Sequence, residues 1–237
     1  MNKKIGWSTV SASLVAVLIA MLGCGDKQNR ATARTVDESV KELKMLETKR
    51  IERTKELRAM NVAQLAKELE KDSGKGVEPF NSMPFSEVVS RGEPVSLELK
   101  SALTEADQRS LLGLLAMRRV SASQYTSLDP IFRVRVLVDA LRTSKYFNKW
   151  GLPHLYWEEA SKAIIAESQA AEPELIALLQ DSRDAPVWGS EEAVEYARYK
   201  YRLKDYAWAL LNEIRGVKVE IPTDPASRDR LISQVSR

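Results

Sequence analysis

Apolar residues at helical spacing over most of the chain, capping residues and prolines where those stretches begin, and glycines where they end predict an all-α protein. The expected architecture is a long charged N-terminal helix followed by a compact array of antiparallel helical hairpins. Of the 237 residues, 44% are hydrophobic, enough for a genuine core in the C-terminal part. The formal net charge is only +3 although 29% of residues are charged, so the strongly positive footprint of a nucleic-acid binder is missing.

The first segment, Met1–Gly23, has the three parts of a secretory signal peptide. Lys3 and Lys4 form the charged start, Ser11 through Leu22 the apolar run, and small Gly23 precedes Cys24. Met21-Leu22-Gly23-Cys24-Gly25 resembles the lipobox of bacterial lipoproteins, with Met21 where that family more often has leucine. The resemblance implies that Cys24 receives a diacylglyceryl group, becomes the mature N-terminus and is then acylated. Two chains anchor stably because each buried methylene contributes about 0.8 kcal/mol. Loss of Lys3 and Lys4 lowers the formal charge from +3 to +1. Cys24 is the only cysteine, so acylation leaves the mature fold without a disulfide, a thiol nucleophile or a cysteine metal site. The expected location is the cell envelope, lipid-anchored on the periplasmic face of the outer or inner membrane. An uncleaved transmembrane helix and a plain secretory signal are the competing readings.

Residues 24–34 are polar and form a flexible tether. Residues 35–73 form a charged helical arm in which Val36, Val40, Leu43 and Leu46 begin a stripe. Arg50 and Arg53 interrupt it, and Leu65 and Leu69 resume it out of phase, so a sustained coiled-coil seam is not expected. The arm packs on the body through one face or, alternatively, self-associates. Residues 74–100 are a linker punctuated by Pro79, Pro84 and Pro94, which docks Phe80 and Phe85 and has a short strand near 95–99.

The helical body spans 101–237. Thr104 caps a helix carrying Leu111, Leu112, Leu114, Leu115 and Met117. Asp129-Pro130 opens the next, with Ile131, Val134, Val138 and Leu141 on one face and Arg133, Arg135 and Arg142 elsewhere. Pro153 starts a third helix, with Tyr156, Ala160, Ala163 and Ile164 inward, and Pro173 a fourth. Ser190 caps a long fifth helix that runs to Arg215 and stops at Gly216. Val217–Ile221 alternates like a strand without a partner, and Asp224-Pro225 opens a last short helix.

Trp150-Gly151 and Trp188-Gly189 echo each other, each followed by a helix start and a Glu-Glu-Ala triplet. Pro173, Leu175, Ile176, Leu178, Leu179 and Asp181, with Arg202, Ala207, Leu210, Leu211, Ile214 and Gly216, resemble the two helices of a HEAT-like repeat. The loop between them is longer than that family has, and the second helix carries an extra tyrosine-rich section. The resemblance implies a stacked-hairpin fold used mostly to bind proteins.

Candidate chemistry is sparse. His154 is the only histidine; Glu158, four residues on, faces the same side of a helix, but two ligands make a poor metal site. No nucleophile motif accompanies it, and Glu158-Glu159 and Glu191-Glu192 are adjacent pairs that diverge on a helix. Tyr199, Leu203, Tyr206 and Leu210 share a core stripe, with Tyr201 and Trp208 on other faces; the alternative is a stacking platform for sugars or bases. Phe147, Trp150, Tyr156, Trp157 and Trp188 are the candidate partner-binding patch. No catalytic residue, metal or cofactor is expected. The expected function is a lipid-anchored scaffolding module for another envelope protein. An envelope hydrolase or wall-modifying protein, or a coiled-coil-like spacer, is the alternative.

Overall fold

The computed structural model describes residues 26–73, 80, 82–105 and 110–235. The signal segment 1–23, Cys24, residues 74–79 of the expected linker, and Ala106-Asp107 of the helix start expected at Thr104 lie outside them. Among the described residues the fold is all-α apart from one two-stranded hairpin. Among the described residues no helix is long and apolar enough to cross a membrane. The chain forms two compact units, Met1–Lys55 and Glu56–Arg237.

The described part of the first unit is helical and belongs to α1, Asp26–Ala59. Residues 26–34, expected as a tether, are therefore helix. Lys27, Gln28, Arg30, Ala31, Ala33 and Arg34 are all good helix formers, and no glycine or proline interrupts them. Val40, Leu43, Leu46 and Ile51 are exposed.

The expected arm is not one element. α1 stops at Ala59, and α2 runs Val62–Ser73. Asn61 and Gln64 cap α2 reciprocally: each backbone N–H donates to the other's side-chain oxygen at 2.9 Å. The end of α1 is closed by Arg91, which donates to the carbonyls of Leu57 and Met60 at 2.9 Å and of Arg58 at 3.2 Å. A cation there satisfies orphan carbonyls and complements the helix dipole. Leu57, Val62, Leu65, Ala66 and Leu69 are buried, so residues from 56 onward belong to the body rather than to a separable arm.

The described part of the expected linker, residues 80 and 82–100, is mostly helical and sends Pro84, Phe85, Val88, Val95 and Leu99 into the core. Ser82 caps α3 (Met83–Arg91), with Pro84 in its first turn, and α4 covers Ser96–Glu105 where a short strand was expected. Phe85 is buried and meets Phe80 at 5.8 Å between ring centres. α5 (Leu111–Val120) is capped by Ser110, not Thr104, and its residues 111–117 are all buried. It packs against α2, α3, α4 and three later helices, which places it at the centre of the body.

Short α6 (Ala122–Thr126) leads to α7, Pro130–Thr143, whose N-cap Asp129 accepts from Ile131 N as the Asp-Pro pair predicts. On α7 the expected faces exchange two members: Ile131 is exposed and Arg133 is buried. Glu167 meets the Arg133 guanidinium at 2.8 and 2.9 Å, and the Tyr125 hydroxyl donates to the same carboxylate at 2.6 Å. A buried arginine is tolerated because every bond it makes here replaces lost water.

Pro153 opens a turn rather than a helix. β1 (Gly151–Leu152) and β2 (Tyr156–Trp157) pair antiparallel around Pro153-His154-Leu155, and α8 begins only at Glu159 and ends at Ala166. Gly151 has φ 87°, and a Cβ there would lie 2.4 Å from the Tyr156 carbonyl oxygen, so the hairpin needs glycine. α9 (Glu172–Leu178) packs on α11 (Leu203–Ile214) through buried Leu175, Leu178, Leu179, Leu203, Tyr206 and Leu210. The sequence assigns these residues and Ile214 to one layer, and Ile214 is half-buried against the core.

The long fifth helix is broken. α10 (Ser190–Tyr199) ends at Lys200 with φ 49°, and α11 restarts after Arg202, whose backbone N–H is held by the Asp205 carboxylate at 2.9 Å. Between them Tyr201 is pinned: its carbonyl accepts from Ala185 N at 2.8 Å. Tyr201 and Trp208 are consequently buried, contrary to their expected placement on other faces. Residues 217–221 are irregular, and α12 spans Pro225–Val235. The Trp-Gly echo has no structural counterpart, since Trp150 is buried before a strand and Trp188 is exposed before a helix.

Candidate functional site

The hairpin loop, Tyr199 at the end of α10, the C-terminal end of α11 and the segment 217–221 surround an open groove of about 330 Å³. It continues into a second depression of about 260 Å³ that shares Pro153, Trp157, Glu213, Val219 and Ile221. Leu155 is 65% exposed, Val217 50%, Val219 38% and Tyr156 37%, so the rim is apolar and open. Burial, together with Glu192 and Glu158, pushes the Tyr156 hydroxyl above its ordinary range.

Residues distant in sequence position His154 in this groove. Its Nε2 lies 2.9 Å from Glu195 Oε2, and its Nδ1 lies 2.7 Å from the Tyr201 hydroxyl. A carboxylate oxygen only accepts, so Nε2 carries the hydrogen and Tyr201 donates to Nδ1. The ring stacks on Tyr199 at 4.0 Å, and Tyr199 stacks on Tyr201 at 5.1 Å. Burial holds the imidazole below its ordinary pKa, outweighing the upward pull of Glu195, with Arg198 adding to the depression. The expected partner Glu158 is instead the N-cap of α8, with its backbone N–H donating to Trp150 O.

The predicted patch does not form one surface. Phe147 and Trp150 are core: Phe147 packs on Tyr206 at 4.9 Å, and Trp150 Nε1 donates to Ser144 Oγ at 2.9 Å. Their rings fill the space under the hairpin, and burying so much apolar area outweighs leaving them at the surface. Tyr156 and Trp157 do line the groove. Trp188 is 60% exposed but is not among the lining residues, and its backbone is bound on both sides by the Asn148 amide. The His154–Glu195 pair spans 41 positions and has no sequence signal beyond the rarity of histidine.

Among the described residues no group of three His, Cys, Asp or Glu is placed to hold a metal ion. No family model matches the chain, and neither a curated protein nor a solved structure matches it.

Proposed function

We propose that this chain is a lipid-anchored cell-envelope module whose helical body binds another envelope protein through the groove at the hairpin loop. The observation that carries the reading is the open, apolar-aromatic groove, where Leu155, Tyr156, Val217 and Val219 stay in contact with water although the chain has ample core for them. Contiguous exposed apolar surface of this kind marks interaction sites. His154 supports binding over proton transfer, because both its nitrogens are engaged within the protein and a general base needs one directed at substrate. The lipobox-like Met21-Leu22-Gly23-Cys24 supports the anchor.

The test is made in cells. A photo-crosslinking residue at position 155 should trap one discrete envelope protein, whereas one at exposed Glu98 should not. Cys24→Ser should move the protein out of the membrane fraction or leave it uncut. No adduct from position 155 sinks the binding role, and an unmodified Cys24 thiol in mass spectra of the native protein sinks the anchor.

A further inference from the structure

We infer that the groove takes a cationic peptide segment, a lysine or arginine flanked by apolar residues, supplied by the partner protein. This rests on the binding-module reading and adds the chemistry of what is bound.

Charge carries the argument. Glu213 and Glu220 line the groove, and Glu158 and Glu192 stand close to the Tyr156 hydroxyl. Among the described residues no salt bridge engages any of the four. Lys218 is the one lysine or arginine among the described lining residues. Several carboxylates elsewhere in the body are matched: Glu172 with Arg215, Asp181 with Arg183, Asp229 with Arg202 and Lys204. The groove therefore sets Glu213 and Glu220 on a wall whose other members are His154 and aromatic and aliphatic residues, with Arg198 acting on His154 from beside it. Such a wall attracts a cation whose stem is apolar.

The geometry of the side chains fits that occupant. A lysine or arginine head placed against Tyr156 and Trp157 gains a cation–π contact while remaining within reach of carboxylates. Its methylenes cover ring surface, as long basic side chains do on apolar ground. Val219 and Leu155 on either side offer apolar contact to the flanking residues. An acidic or purely apolar segment would leave the carboxylates facing a like charge or stripped of water, which costs affinity.

The experiment titrates the purified full chain with a seven-residue peptide of alternating valine and lysine, followed by calorimetry and by tryptophan fluorescence. Peptides with glutamate or serine in place of lysine serve as counterparts. The lysine peptide should bind, and the glutamate peptide should not. Glu213→Gln and Glu220→Gln should each weaken binding by about two- to five-fold, as for exposed ion pairs. Rising salt should erase most of the remaining affinity, while Glu98→Gln should change nothing. Equal binding of the serine and lysine peptides, or unchanged binding in Glu213→Gln and Glu220→Gln, overturns the cationic assignment. If the lysine peptide fails to bind while the adduct from position 155 still forms, the charge argument is wrong and the binding module stands. If both fail, the binding module falls too.

Discussion

At the scale of single residues, His154 is the most informative side chain because its environment joins two separated segments, the hairpin and residues 195–201. Burial between Tyr199 and the hairpin disfavours its charged form, and Glu195 only partly offsets that. The folded chain therefore resists a proton that the unfolded chain accepts below about pH 6.5. Stability should fall as pH drops from that value towards the lower folded one, and then level off. The groups facing the ring are Glu195, Arg198, Tyr199 and Tyr201. Melting midpoints at about pH 7.5 and about pH 5 should differ more in the wild type than in His154→Gln, since other carboxylates contribute to both. An identical difference would mean that the imidazole is not desolvated.

At the scale of elements, α2 decides where the folded body begins. Its Leu65, Ala66 and Leu69 are fully buried against α4 and α5, although a charge-rich sequence surrounds them. A fragment starting at Glu56 should unfold cooperatively with a midpoint close to that of the full chain. One starting at Phe80 should lose its sharp transition, because it uncovers the central helix α5. Leu65→Ala in the full chain should cost about 2–5 kcal/mol by urea denaturation. Were the Phe80 fragment to melt like the longer one, α2 would be dispensable and the arm a genuine appendage. The sequence shows the stripe of α2 and its phase shift against α1. The break itself was legible only in Asn61 and Gln64, whose three-residue spacing is a capping pair that a charged run disguises.

At the scale of the whole molecule, the second unit is closed by its C-terminal helix through one fully buried arginine. Arg228 donates to the carbonyls of Pro222, Thr223 and Tyr199 at 2.7 to 2.9 Å and to that of Lys200 at 3.3 Å, which fastens α12 to the α10–α11 junction. Its Nε lies 3.1 Å from Asp205 Oδ1 as an ion pair without hydrogen-bond geometry. Arg228→Ala would strand four carbonyls and leave buried Asp205 with Arg202 as its remaining cation, and should cost about 3–5 kcal/mol. Asp229→Ala, at a half-exposed pair on the same helix, should cost no more than about 1 kcal/mol. Equal urea midpoints for the two variants would show that α12 is not fastened through Arg228.

Local information sufficed wherever a short stretch decides its own conformation. Asp129-Pro130, Pro173 and Asp224-Pro225 mark helix starts because capping and proline geometry act within a turn, and the leucines of α5, α9 and α11 announce burial by their period. The all-α class follows from those signals alone. Tertiary structure decided what they leave open. Pro153 could open a helix or a turn, and the Gly151 backbone pressed against β2 selects the turn. The stretch from Ser190 to Arg215 has one unbroken helical pattern, yet it breaks at Lys200 because Tyr201 is worth more buried beside His154 and Arg228 than as one further helical residue. The groove depends on residues from four separated segments, and only packing places those side by side. Short-range backbone chemistry is written in neighbouring residues, whereas desolvation and charge pairing depend on neighbours in space.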